Sequence, residues 1–267
     1  PVSGVNDCVP ALDLSAIPPV QNVSKAQIFQ GNIRPSGQPG HVMVGVAEAF
    51  VNRAAYDLWN TGALCLQIGS STLPMLDPAL VGILFASDLK NLVFPASDSD
   101  SPLGVGLRPQ KPPTIRFDNA EGGGVKVGVA MPELQLDFYA WSLDRYVRFV
   151  TFQLDIDIAV AVKANAGKIQ LDLLGVDITN TRALNDSLIS NGGSAANLIT
   201  GVVGSLLPAF LGDSGPLFEL DIAGILPETL ELAGMEIPMP LSIELRDDAL
   251  AAVYTNASGA TIPARDE

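Results

Sequence analysis

From Tyr146 to Lys163 the chain reads YVRFVTFQLDIDIAVAVK, and apolar and polar residues alternate along it. Arg148, Val150, Phe152, Leu154, Ile156, Ile158, Val160 and Val162 share one parity, whereas Thr151, Gln153, Asp155, Asp157 and Lys163 share the other. That period predicts a strand with one dry and one wet face. At about 3.3 Å per residue the stretch spans roughly 60 Å, about three times an ordinary strand. A strand of that length must bend, and something long must cover its apolar side.

The same logic assigns the rest of the chain. Residues 1–40 are rich in Pro, Gly, Ser and Asn and read as an extended N-terminal arm or a linker. An α+β domain over 41–256 and a loose tail over 257–267 follow. A short strand, HVMVGV, runs into a helix over AEAFVNRAAYDLWNTG, on which Val46, Phe50, Ala54 and Leu58 recur every four residues and Gly62 is the stop. Leu64, Leu66 and Ile68 alternate as a strand, and Asp77-Pro78 opens a second helix over ALVGILFASDLKNLV. From Leu103 the pattern is that of an antiparallel meander. Strands are expected at Leu103–Leu107, Ile115–Phe117, Val125–Met131, Leu134–Phe138, through the long strand, and back from Ile169 to Leu173. A third helix begins near Ser194, with Leu198, Val202 and Leu206, joined by Ile199, Val203 and Phe210, as its apolar stripe; Pro208 should kink or end it. Strands return over 217–255, closing with a hairpin at Asp247-Asp248.

Composition narrows the function classes. A 267-residue chain that is 48% apolar can bury a large core. No apolar run is long enough for a spanning helix, and PVSGVNDCVP has neither the basic region nor the apolar core of a signal peptide. Fifteen basic against 29 acidic residues leave a net charge of −14. Like-charge repulsion then argues against nucleic acid and against charge-driven membrane binding. Cys8 and Cys65 match no metal-binding or redox spacing; they form either a disulfide pinning the N-terminal arm or two buried thiols.

Candidates for chemistry are few. His41 is the single histidine, so a triad has one available base, at the edge of a Pro/Gly-rich stretch. Asp98 and Asp100 alternate with serines, but the run lacks the glycine and distal glutamate of an EF-hand loop. Asp155 and Asp157 share a wet strand face, where solubilising is their expected role rather than acid–base work. Gly122–Gly124 reads as a turn, with neither phosphate-loop nor dinucleotide spacing. Asn22, Asn185 and Asn256 each open an Asn-X-Ser sequon, relevant in a eukaryotic secretory setting. Trp59 and Trp141 read as core or rim. Neither a catalytic constellation, a metal site nor a cofactor site is expected.

The order of strand HVMVGV, helix AEAFVNRAAYDL, strand LCLQI, second helix, RPQKPPTIRF, long meander, Pro-interrupted helix and final hairpin resembles the C-terminal half of the bactericidal/permeability-increasing protein family. That family belongs to the tubular lipid-binding superfamily. The resemblance covers roughly residues 40–256, and its most specific pieces are the join at Val44–Asn52 and Pro112-Pro113. It implies a long, highly curved antiparallel sheet wrapped around amphipathic helices, as a single module, with an apolar groove for lipid chains between them. The chain departs from the family in having one module and in lacking the cationic surface used against endotoxin, which argues against an antibacterial role.

A length mismatch points the same way. The third helix, at about 27 Å, covers under half of the extended long strand. Apolar surface is left for a ligand or another subunit unless the strand curls around the helix. The residues expected to line a groove are Val46, Phe50, Ala54 and Leu58 on the first helix, Phe152, Ile156 and Ile158 on the strand, and Leu198, Val202 and Leu206 on the third helix. The expected function is non-enzymatic binding or transfer of a lipid or other long apolar molecule, outside the cytoplasm. The alternative is a structural subunit of a cell-surface assembly with a self-filled core, paired by strand addition. An upstream domain and a homo-oligomer both remain open. The charge balance yields a first test: the chain should bind anionic liposomes negligibly at physiological salt. Strong, salt-sensitive co-sedimentation with them would contradict it.

Overall fold

The computed structural model describes residues 8–10, 17–19, 42–69, 103–119, 125–142, 145–165, 168–189, 192–211, 218–221, 229–232, 235–238, 241–246 and 249–254. Among these, the architecture is α+β: mostly antiparallel sheet with few helices. The centre is a meander of three long strands, β5 (Val125–Ser142), β6 (Arg145–Asn165) and β7 (Lys168–Leu184). Strand β6, 21 residues long, extends about 70 Å.

Strand β5 is so long that two short strands share its outer edge. β3 (Leu103–Pro109) pairs with Leu134–Ala140, and β4 (Thr114–Asn119) pairs with Val125–Ala130. Beyond them, β2 (Leu66–Gly69) pairs with β3, and β8 (Phe218–Asp221) pairs with β7. A separate three-stranded sheet joins β1 (Val42–Ala47), β12 (Ala249–Tyr254) and β11 (Leu241–Arg246), and β9 (Thr229–Leu232) pairs with β10 (Met235–Pro238). The helices are α1 (Glu48–Asn60) and α2 (Gly192–Leu211). The expected helix after Asp77-Pro78 lies outside the described residues, as do His41, Asp98, Asp100 and Gly122–Gly124.

The register aligns apolar residues in rows across the meander. Leu107, Leu136, Phe152 and Ala183 form one row, and Ile115, Val129, Ile158 and Val176 another. Since side chains alternate between faces, each row puts four apolar groups on the same side. Perfect alternation cannot be kept over such lengths, and the strands absorb the error in bulges. Between Phe138 and Tyr139 of β5, β6 inserts Phe149. That insertion moves Arg148 from the apolar parity, where simple counting puts it, to the side of Tyr139 and Asp137. Phe149 itself is buried against the Phe138 ring, with centroids 6.2 Å apart.

Two further irregularities meet at Asp155. On β5, Pro132 and Glu133 stand opposite it, and on β7, Asn180 and Thr181 stand opposite Leu154. Glu133 and Asn180 both adopt φ 53, in the left-handed region that costs a non-glycine residue. The Asp155 carboxylate accepts the Glu133 backbone N–H at 2.7 Å and the Asn180 Nδ2–H at 2.6 Å. It therefore ties both bulges together across the central strand. Asp157, two residues on, is exposed.

Strand β5 reads in sequence as two strands because Pro132-Glu133 interrupts the alternation, yet it runs through as one. The loop joining β3 to β4 spans the same irregularity: Gln110 donates its backbone N–H to the Glu133 carbonyl at 3.3 Å, and Lys111 Nζ lies 2.5 Å from Glu133 Oε1. Pro208 neither ends nor shortens α2, which continues to Leu211.

Hydrogen bonds from Asn180 and from the Glu133 backbone hold the Asp155 carboxyl below the usual carboxylate range. A depressed folded-state value means stability that is present above about pH 4 and is lost as pH falls through the folded value. Asp155→Ala should lower stability at neutral pH by about 1–3 kcal/mol. The gap between parent and variant, measured by urea melts, should close below about pH 4. A gap that stays constant with pH would contradict the role given to Asp155.

Candidate functional site

The apolar side of the meander divides into a closed part and an open part. In the closed part, Ala195, Ala196 and Ile199 of α2, with the half-buried Val203, pack on Leu134, Leu136, Phe138, Val150, Phe152, Leu154 and Ile156. Phe152 and Leu154 are completely buried and Phe138 meets Phe152 edge-on, with centroids 5.7 Å apart. Small residues let α2 approach β7: Gly204 sits against Ile178, and the Thr200 hydroxyl lies 2.8 Å from that of Thr181.

Helix α2 is about 30 Å long, less than half the length of β6. Past the closed part the apolar rows continue. Val127, Val129, Met131, Ile158, Leu173 and Val176 are half-buried; Met131, Ile158 and Val176 pack against the α2 core, and Val127 against a smaller cluster of Phe117, Val125 and Val162. This strip is the candidate binding surface. Its character is aliphatic, suited to a hydrocarbon chain rather than to a reacting group.

Helix α1 closes the outer edge of the same region by hydrogen bonds rather than by its apolar stripe. Strand β4 is an edge strand, and edge strands leave backbone groups to be satisfied or covered. Asn52 Oδ1 accepts the Ile115 N–H and Asn52 Nδ2 donates to the Ile115 carbonyl, both at 2.7 Å, while Glu48 Oε2 accepts the Phe117 N–H at 2.7 Å. Two turns beyond Asn52, Trp59 is buried and donates Nε1–H to the Pro109 carbonyl at 2.8 Å. The helix ends where Gly62 takes φ 73 and the Gly62 and Ala63 N–H groups bond back to the Trp59 and Leu58 carbonyls.

The face of α1 carrying Glu48, Asn52, Ala55, Tyr56 and Trp59 turns inward. Of the residues expected to line a groove there, Val46 falls on β1 and is 38% exposed, Phe50 and Leu58 are 69% and 51% exposed, and Ala54 is half-buried. On α2 the inward face is centred on Ala195, Ala196 and Ile199, which leaves Leu198 49% exposed; the side chains of Val202 and Leu206 lie outside the described residues. Phe152 and Ile156 lie in the closed core and Ile158 at its border.

Cys8 and Cys65 are joined, with Cα atoms 6.4 Å apart. Val9 packs with Tyr56 and Trp59 beside the bridge, so this piece of the N-terminal arm is fixed against the end of α1.

The opposite face of the meander holds a cluster that the alternation pattern does not announce. Asp137 is completely buried in a face expected to be wet. It accepts hydrogen bonds from Arg108 Nε and, at 2.5 Å, from the Thr151 hydroxyl, and Arg148 Nη1 lies 3.5 Å away. Arg108 also donates to Gln135 Oε1 at 2.9 Å. Tyr139 lies across the space that a side chain at Gly106 would fill and points its hydroxyl at Asp137, 3.4 Å away. Burial, and then the Asp137 charge, push the Tyr139 phenol above its ordinary value. Every contact named here is made within β3, β5 and β6. The sequence signal for the cluster is Arg148, a charge on the apolar parity.

No family model matches the chain, and no curated protein matches it in sequence. Among solved structures it is weakly similar in fold to a lipopolysaccharide binding protein: TM-score 0.43, 10% identity, over 71% of this chain and 39% of that one. The chain therefore matches well under half the length of that protein, and a likeness so slight carries no argument about function.

If Asp137 anchors two arginines, Asp137→Leu should cost roughly 3–5 kcal/mol, the range for removing one partner of a buried ion pair. Denaturant unfolding measures it. A loss under about 1 kcal/mol would show the cluster to be dispensable.

Proposed function

We propose that the chain is a non-enzymatic lipid-binding module acting outside the cytoplasm, and that the half-buried strip at Val129, Met131, Ile158 and Val176 takes a hydrocarbon chain. The observation that carries this reading is the apolar face of β5, β6 and β7 outrunning α2. In the proposal, the bulged strands curve around α2, since bulges increase local twist and bend the strand that carries them. The driving force is desolvation, at about 0.8 kcal/mol per buried CH₂, so ten methylenes supply about 8 kcal/mol before ordering costs. With a cost of at least about 4 kcal/mol subtracted, micromolar affinity without polar recognition needs a chain of about 15 or more buried methylenes. The Cys8–Cys65 bridge supports an oxidising compartment. A self-filled structural subunit is the second reading, favoured by the complete burial of Phe152 and Leu154 beneath α2.

Two substitutions separate these readings. Ile158→Trp fills the strip: in a lipid site, uptake of a fluorescent fatty-acid probe falls while the lipid-free chain keeps its stability. In a close-packed interior the same change overpacks the site and costs about 1–3 kcal/mol. Phe152→Ala is the control for the closed core and should cost about 3–5 kcal/mol under either reading. A parent chain that takes up no probe, with Ile158→Trp destabilised, would refute the lipid reading.

A further inference from the structure

The outward face of α1 is unused by the contacts described above, and its pattern is self-complementary. Phe50, Ala54 and Leu58 recur every fourth residue, large, small and large, with Phe50 and Leu58 69% and 51% exposed. Beside the stripe, Arg53 and Asp57 form an exposed ion pair at 3.5 Å, with side chains 41% and 60% exposed. Arg53 also leans over the Tyr56 ring, 5.8 Å from its centroid.

We infer that this face of α1 is the two-fold contact of a homodimer, in which α1 packs antiparallel on α1 of a second copy. An antiparallel pair centred on Ala54 puts the smallest residue on the axis, where backbones must approach closely. It sets Phe50 of each copy against Leu58 of the other, and Arg53 of each against Asp57 of the other. Such symmetry makes a single patch serve both partners. Charge complementarity favours a second copy, because the Arg53 and Asp57 of one patch find their opposite charges on the same patch of the other. Two chains of net charge −14 repel one another at long range, and this locally neutral patch adds nothing to that repulsion. An anionic bilayer finds no net positive charge here to attract it. One helix pair makes a contact under about 1,200 Å², so the dimer is expected to dissociate on dilution. The inference stands apart from the lipid reading, because the strip at Ile158 is on other elements.

Sedimentation velocity on the full chain, from dilute to concentrated, is the test. The parent should pass from monomer to dimer, with no higher species. Arg53→Glu alone and Asp57→Lys alone each set like charges across the axis and should weaken the dimer roughly tenfold. An equimolar mixture of the two variants restores both cross-pairs and should recover the dimer. Phe50→Ser should weaken the dimer while leaving the melting temperature of the dilute, monomeric chain unchanged. A parent that stays monomeric throughout would overturn the proposal, as would single variants that dimerise like the parent or a mixture that fails to recover. A lowered melting temperature for Phe50→Ser without a change in mass would mean that the chain's own residues use the stripe, which also overturns it.

Discussion

An apolar face that runs from Val150 to Val162 of β6, about 40 Å, on a strand about 70 Å long beside a helix about 30 Å long is the constraint on which the structure turns. Where α2 lies, Ala195, Ala196 and Ile199 close the core over Phe152 and Leu154 to complete burial. Beside this core, Val129, Met131, Ile158 and Val176 are only half-buried. Extended strands gain length more than twice as fast per residue as a helix does. A 20-residue helix therefore cannot cover a 21-residue strand, however well its stripe is designed. Among the described residues, part of the apolar face is left half-buried, and the binding role proposed above would use it.

The same length sets the second problem, which is keeping three strands in register. Asp155 addresses it locally by accepting hydrogen bonds from Glu133 and Asn180, the left-handed residues of two neighbouring irregularities. Asp137 does so on the covered polar face, where it joins β3 through Arg108 to β6 through Thr151 and Arg148. Helix α1 finishes the edge, since Glu48 and Asn52 satisfy the backbone of β4 that no strand pairs among the described residues. Polar groups thus fix where the strands sit, while aliphatic rows supply the burial.

Much of this was legible in the sequence, because alternation of period two is a direct imprint of a half-buried strand. The extents of β6, β3 and the final hairpin, and the stop of α1 at Gly62, follow from pattern and turn chemistry. What the pattern could not convey was where registers slip. β7 reads as ending near Leu173 because Leu174, an extra residue in the ladder, breaks the alternation before it resumes at Val176 and Ile178. Nor could it give the orientation of α1. Phe50, Ala54 and Leu58 are the regular apolar stripe of that helix, but it docks through the Asn52 and Glu48 hydrogen bonds to β4 and the buried Tyr56 and Trp59. Leu198 fails for a related reason, since close approach to β7 favours the small Ala195 and Ala196 at the contact. Of the groove residues expected on the long strand, Phe152 and Ile156 lie in the closed core and Ile158 at its border, and the orientation of the helices depended on partners that periodicity does not specify.

Native mass spectrometry of the purified, undenatured chain bears most directly on the claim that the uncovered face holds a hydrocarbon ligand. The account predicts a fraction of molecules carrying extra mass that organic extraction removes and that a long-chain fatty acid restores on incubation. A chain that flies at its bare mass, before and after incubation with fatty acid, would contradict it.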